Sequence, residues 1–295
     1  MSILITGSNG LLGQKIVAQL LKAGKSFIAT SKGENRNPDC PSEFYQSLDI
    51  TNKDQVDSIC KQHSFSSIIN TAAMTNVDAC EEDELNCRKI NVEAVNQLAE
   101  AAREYNLFLT HVSTDFVFDG EAGPYKEEDK RNPLSIYATS KRDSEDLLMT
   151  SDFKNWAILR TIIVFGQGNN LSRSNIVLWA KGALANEQEL TIVDDQFRAP
   201  TWADDLAWAC IQAAELEAKG VFHISGPETF SIHELVTRIA KYYGNDPSLV
   251  KAISSSKLNQ KAKRPPKTGF DISKARKVLG YKPLTFEESL SQLEG

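Results

Sequence analysis

Through the first 165 residues, short uninterrupted apolar runs alternate with longer stretches whose apolar positions recur every three to four residues. That rhythm predicts crossover units feeding a parallel sheet. The runs predict strands at Ile3–Thr6, Phe27–Thr30, Phe44–Leu48, Ser67–Thr71, Leu107–Val112 and Trp156–Arg160, and the periodic stretches predict helices near Leu11–Ala23, Asp54–Lys61, Val92–Tyr105 and Ser135–Met149. Strands buried on both faces lack polar alternation. Ile68-Ile69 followed by Asn70-Thr71-Ala72-Ala73 reads as such a strand emerging into a polar loop, at the end where open α/β sheets bind ligands. The expected fold class is α/β, a doubly wound, Rossmann-like parallel sheet.

The texture changes after Gly166: Gly166-Gln167-Gly168-Asn169-Asn170 is turn-rich, and Lys261–Gly269 is irregular and basic. A smaller α/β C-terminal lobe is expected there. The helix Ala203–Ala218 and the strand Val221–Ile224 are expected to return to the main sheet, which makes the division discontinuous: 1–165 plus about 203–225, against about 166–202 and 226–295.

Gly7-Ser8-Asn9-Gly10-Leu11-Leu12-Gly13 follows the first strand and opens the first helix, the setting that gives a glycine fingerprint weight. Gly7 takes the turn, Gly10 lets the backbone approach a pyrophosphate at the helix N-terminus, and Gly13 permits close helix packing. The larger unit is therefore expected to bind a dinucleotide. Its second strand ends Ala29-Thr30-Ser31-Lys32, with no carboxylate for a ribose 2′-hydroxyl. Thr30, Ser31 and Lys32 are candidates to hold a 2′-phosphate, which favours NADPH over NADH. The alternative is that Lys32 is a solvated loop charge and both cofactors bind.

Composition narrows the field without choosing within it. The chain has 295 residues, 41% apolar and 24% charged, and a net charge of −6, which offers no basic field for nucleic acid. The opening residues run straight into a strand, with no export or membrane-spanning signal, so a cytoplasmic setting is expected. Cys40, Cys60, Cys80, Cys87 and Cys210 form no ligand spacing and read as reduced packing thiols. The carboxylate clusters Asp194-Asp195, Asp204-Asp205 and Glu127–Asp129 spell no metal site, and His63, His111, His223 and His233 read as packing or surface residues. Trp179, Trp202 and Trp208 are expected in the core or between lobes.

Tyr137-Ala138-Thr139-Ser140-Lys141 opens a helix, and the four-residue step sets phenol and ammonium on one face. A nearby cation favours the phenolate and draws the tyrosine toward acid–base work at neutral pH. Upstream, the strand Leu107–Val112 ends in Ser113-Thr114-Asp115, where a hydroxyl can polarise a carbonyl.

Glycine turn, hydroxyl and Tyr/Lys helix together resemble the extended short-chain dehydrogenase/reductase family across essentially the whole chain. The segments Asn70–Glu81, Ser113–Gly120 and Asp195–Thr201 resemble the NxAxxTxVDxxE, STDYVFDG and DQxGxPT blocks of dTDP-4-dehydrorhamnose reductases. Arg198 departs from the glycine of the last block, and Ile163 stands where some relatives carry tryptophan. The resemblance implies catalytic roles for Thr114, Tyr137 and Lys141, with Asp49-Ile50 flanking the adenine and Ala72-Ala73 beside the nicotinamide ribose. It also implies a substrate side drawn from Thr75, Thr114, Asp115, Phe116, Asn175, Gln196, Arg198 and Arg264, the last through a diphosphate; a solvated basic loop is the other reading of Arg264.

The activity implied is reduction of the C4 ketone of a nucleotide-linked deoxysugar, dTDP-4-dehydrorhamnose to dTDP-rhamnose, within polysaccharide biosynthesis. Another nucleotide-sugar reductase or epimerase is an alternative, as is a dinucleotide-binding regulatory subunit similar to methionine adenosyltransferase β. Some relatives use Mg²⁺, which no motif here indicates, and a homodimer is compatible with the family.

Overall fold

In a computed structural model that describes residues 2–258 and 260–293, the strands of the main sheet are β1 (Ser2–Thr6), β2 (Phe27–Ser31), β3 (Tyr45–Ser47), β4 (Phe65–Asn70), β5 (Phe108–Thr114) and β6 (Trp156–Thr161). Between them run α1 (Leu11–Lys22), α2 (Lys53–Gln62), α3 (Val77–Glu82), α4 (Glu84–Arg88), α5 (Ala94–Glu104) and α6 (Ile136–Thr150). Then follow β7 (Val164–Phe165), α7 (Ile176–Ala185), β8 (Leu190–Val193), β9 (Phe197–Arg198), β10 (Thr201–Trp202), α8 (Ala203–Glu215), β11 (Gly220–Ile224), β12 (Phe230–Ser231), α9 (Ile232–Tyr242), β13 (Val250–Ile253), α10 (Ser273–Leu279) and α11 (Phe286–Ser291).

The seven-stranded sheet has the order β11-β6-β5-β4-β1-β2-β3 and is parallel throughout. Its apolar residues alternate between two cores because successive strand side chains face opposite ways. Ile3, Ile5, Ile69, Phe108, Ala157 and Leu159 pack on one side, with α1 and α8; Leu4, Ile68, Leu109 and Ile158 pack on the other, with α2 and α5. Both faces being covered accounts for strands that read as unbroken apolar runs.

Two details differ from the pattern reading. Phe44 lies in a 3₁₀ turn ahead of β3, and the expected helix at Val92 begins with a π turn, Lys89–Glu93, before α5. A third core gathers Phe165, Val177, Leu184, Trp202, Phe230, Leu235, Val236 and Leu290 from the later chain. Ile272, Ala275, Leu279 and Tyr281, however, pack with α8 in the first core, so residues 226–295 do not share one core. Trp202 is buried and Trp208 packs against the first core, but Trp179 lies on the outer side of α7 with 45% of its surface exposed. All five cysteines are buried free thiols, and burial pushes Cys40 and Cys60 up to about 11.

Candidate active site

The ends of β1, β4 and β5 and the starts of α1 and α6 open into one cleft of about 900 Å³. At its floor Gly7 turns with φ 75°, and a Cβ there would meet the Ala72 amide nitrogen at 2.7 Å. A Cβ on Gly13 would lie 2.5 Å from the Gly7 carbonyl oxygen, so α1 and the turn approach as only glycine allows. Most longer helices in the chain begin with a side-chain cap: Asn52 on α2, Ser135 on α6, Asn175 on α7 and Ser231 on α9. α1 begins at Gly10 with none. Its first N–H groups therefore face the cleft without a side-chain acceptor, a setting that favours an anion.

Asn9 ties the next loop over this turn: its Nδ2 donates to the Glu34 carbonyl at 2.8 Å and its Oδ1 accepts from the Arg36 amide at 2.8 Å. Leu11, Leu12, Ser31, Lys32, Asp49, Ile50, Ala72 and Ala73 also line the cleft. Thr30 does not. It is fully buried and donates to the Ile5 carbonyl, as strand alternation requires when Ser31 faces out. Lys32 is 2.8 Å from the Asp49 carboxylate, so a carboxylate does reach this edge, from the segment after β3 rather than from β2. Partial burial pulls the Asp49 carboxyl up, but Lys32 and Thr51 outweigh it and hold the group at about 2. Arg36, which the sequence reading passed over, lines the same edge with its side chain exposed and no ion pair among the described residues.

At the other end, Thr114, Tyr137 and Lys141 line the cleft together, from the end of β5 and the first two turns of α6. Thr114 stands beside the Tyr137 phenol, donates to Asp115 Oδ1 at 3.1 Å and accepts from the Phe116 amide at 3.2 Å. Burial pushes the Tyr137 phenol up, opposed by Thr114, with Asp115 and Cys80 adding to the rise. This corrects the expectation of a tyrosine drawn down by its lysine: desolvation wins, and the phenol is held protonated. Burial drives the Lys141 ammonium down to about 8, against the pull of Glu145 and Cys87, and Nζ donates to the Val112 carbonyl at 2.7 Å.

Asn91, in the π turn, was not singled out by sequence. Its Oδ1 accepts from the Met74 amide at 2.8 Å, and its Nδ2 donates to the Met74 carbonyl and to Ser140 Oγ, both at 3.0 Å. It fastens the loop after β4 to the Tyr/Lys helix.

The substrate-side candidates divide. Thr75, Asp115, Phe116 and Asn175 line the cleft; Gln196, Arg198 and Arg264 do not. Asn175 caps α7 through Oδ1 and donates to the Gly166 carbonyl at 2.7 Å, so its polar atoms are already engaged. Gln196 is buried beside Gln260. Arg198 is 2% exposed and donates to the Pro265 carbonyl at 2.6 Å and the Phe197 carbonyl at 2.7 Å, with Asp115 3.8 Å from its Nε. Burial pushes the Asp115 carboxyl up and Arg198 opposes that shift. Arg264 grips Asp78 with two donors, at 2.6 and 3.2 Å, and neither residue is among those that line the cleft. On this side a different guanidinium lines the cleft, that of Arg173, whose Nη2 donates to Thr75 Oγ1 at 2.7 Å. Among the described residues no group of three or more His, Cys, Asp or Glu could hold a metal ion, and no helix is long and apolar enough to cross a membrane.

Residues 1–294 match the family model described as RmlD substrate binding domain. A dTDP-4-dehydrorhamnose reductase of Aggregatibacter actinomycetemcomitans is 35% identical over 99% of this chain and 97% of its own. A crystal structure of a dTDP-4-dehydrorhamnose reductase from Clostridium acetobutylicum superposes with a TM-score of 0.86 at 30% identity, covering 100% of this chain and 98% of that one. One from Bacillus anthracis, in complex with NADP, gives 0.86 at 25% identity over 99% and 98%. With its seven-stranded parallel sheet and a single cleft joining the glycine turn to Thr114, Tyr137 and Lys141, the chain belongs to the RmlD family of extended short-chain dehydrogenase/reductases, NAD(P)-dependent oxidoreductases.

Proposed function

We propose that the chain reduces the C4 ketone of dTDP-4-dehydrorhamnose to give dTDP-rhamnose, with NADPH as the preferred donor. The presence of Thr114, Tyr137 and Lys141 in the lining of the cleft that begins at Gly7–Gly13 carries this reading. The residues fit a dinucleotide: the Gly7/Gly13 approach leaves no room for side chains, and α1 offers uncapped N–H groups to a pyrophosphate. Asp49 and Ile50 would flank the adenine, and Ala72 and Ala73 the nicotinamide ribose. When bound, the reduced nicotinamide supplies a hydride to the ketone carbon.

Tyr137 gives its proton to the ketone oxygen, and its protonated resting state suits that task. Thr114 turns its hydroxyl from Asp115 toward the developing alkoxide. Lys141 holds the ribose hydroxyls and stabilises the phenolate left on Tyr137 by its charge. Arg36 and Lys32, with Ser31, would receive the 2′-phosphate; Thr30 is withdrawn from that set. Arg173, rather than Arg264, would meet the substrate's diphosphate, where a guanidinium supplies paired donors. We also take the dinucleotide unit to be 1–165 with about 203–225, joined by the Ile272–Tyr281 segment that packs on it.

NADPH oxidation should require dTDP-4-dehydrorhamnose, and Tyr137→Phe should lower kcat by roughly 10²–10⁴-fold, the usual worth of a positioned acid, with NADPH affinity kept. Near-normal turnover in that variant would refute the assignment.

A further inference from the structure

A chain of buried polar groups runs behind Lys141, from β1 through β4 to β5 and α6. Thr6, Asn70, His111, Ser144 and Lys141 are each 2% exposed or less. Asn70 Oδ1 accepts from Thr6 Oγ1 at 2.6 Å and from the Ala72 amide at 3.2 Å. A backbone N–H has no other role than donor, so the oxygen of Asn70 must face Ala72 and its amide nitrogen must face His111. That nitrogen lies 3.0 Å from His111 Nδ1. Nδ1 is thereby an acceptor, and the proton of the neutral imidazole resides on Nε2. Burial, with Lys141 adding to it, holds His111 well below the ordinary histidine range, so the ring is neutral.

His111 Nε2–H stands between two partners, Ser144 Oγ at 3.2 Å and Lys141 Nζ at 3.1 Å. Ser144 spends its own proton on the Lys141 carbonyl at 2.7 Å, which leaves its oxygen free to accept. An ammonium has three donors and no acceptor. While Lys141 is charged, Nε2–H can bond only to Ser144; once Lys141 is a neutral amine, its lone pair accepts Nε2–H.

We propose that His111, fixed as the Nε2–H tautomer by Asn70, is a positioning residue that sets the charge state of Lys141 by offering a hydrogen bond to the amine and none to the ammonium. The remaining titratable groups around Nζ act the other way: Glu145, on the same helix and itself engaged by Arg160 and Arg131, and Cys87 on α4 both favour the ammonium. Tyr137 lies one turn back on α6. The consequence for function rests on the reductase reading, because there Lys141 serves Tyr137; a lysine whose proton is easily released can pass it toward the phenolate after each reduction.

Two NMR measurements on the full chain test this without turnover, so that a failed reductase assay and a failed proposal remain distinct. In histidine-¹⁵N-labelled wild type, the His111 signals, assigned by their loss in His111→Gln, should show a bare Nδ1 and a protonated Nε2. A protonated Nδ1 overturns the proposal, and this readout needs only the native protein. In lysine-¹³Cε-labelled protein, Lys141, assigned through Lys141→Met, should titrate near 8. His111→Leu removes the donor without adding charge and should raise that titration by about one pH unit. An unchanged or lowered value overturns the proposal, since a ring that merely filled space or accepted from the ammonium would give those results.

Discussion

Alanine at position 13 would test whether the approach of α1 to the glycine turn governs dinucleotide binding. The added Cβ would lie 2.5 Å from the Gly7 carbonyl oxygen and 2.6 Å from Ser8 Cα, where ordinary contact begins at 3.4 Å. Both obstacles are backbone, so neither can rotate aside. The helix must withdraw by most of an ångström, and Gln14, which donates to the Asn9 and Asn169 carbonyls, moves with it. Overpacking of this kind costs about 1–3 kcal/mol, and each 1.4 kcal/mol is tenfold in an equilibrium. Gly13→Ala should lower Tm by a few degrees and raise the NADPH Kd by roughly ten- to a hundredfold, measured by calorimetry and nicotinamide fluorescence. Gly10→Ala is the internal comparison: its nearest obstacle is 3.3 Å away, so Tm should barely change while a Cβ facing the ligand weakens binding. A Gly13→Ala protein with wild-type Tm and a Kd within about twofold would refute the packing account.

Arg36→Ala should reduce kcat/KM for NADPH by about tenfold or more while sparing NADH, as loss of a charge-assisted phosphate contact requires; equal losses with both would remove Arg36 from the 2′-phosphate. Arg173→Ala should raise KM for the sugar nucleotide by about tenfold, whereas Arg264→Ala, losing an ion pair outside the cleft, should leave KM within about twofold; the reverse order would restore Arg264 to the substrate. Burial, helped by Asp204 and Glu288, raises the Asp205 carboxyl from 3.8 to about 6. The folded state therefore binds this proton more tightly than the unfolded state, and stability contributed by the neutral acid is lost as pH climbs from 3.8 through 6. Asp205→Asn, which keeps an acceptor for the Leu284 amide, should raise Tm more at pH 7.5 than at pH 5 by an amount equivalent to about 1–2 kcal/mol; a pH-independent change would refute it.

The sheet was legible because strands covered on both faces carry a local signature: Ile3–Ile5 and Ile68-Ile69 must be apolar on every side. The Tyr137/Lys141 pair was legible because four residues along a helix fix a shared face. Thr30 was misread although alternation held the answer, since adjacent strand residues Thr30 and Ser31 cannot both face the ligand. Asn175 likewise stands immediately before the apolar run Ile176–Leu178, the position of a helix cap, and the structure uses it so. Two further contacts are illegible for another reason. The Lys32–Asp49 bridge depends on β3 lying beside β2, and the Arg264–Asp78 pair joins residues 186 positions apart. No local pattern announces a partner that only the tertiary fold brings near. The tautomer of His111 is hidden for the same reason, being dictated by a β4 carboxamide that strand pairing sets beside the ring.

The pairing of β11 with β6 carries a cost in the order of synthesis. Residues 220–224 complete the sheet alongside Ala157–Thr161, yet almost sixty residues intervene, which supply part of the third core and, through α8, part of the first. A chain released from the ribosome at residue 200 would present β6 as a bare edge, with Arg160 stripped of His223. Such an edge is a template for pairing with other chains. Amino-terminal fragments of this protein are therefore expected to be insoluble, and a stand-alone dinucleotide module cannot be cut from it by a single truncation.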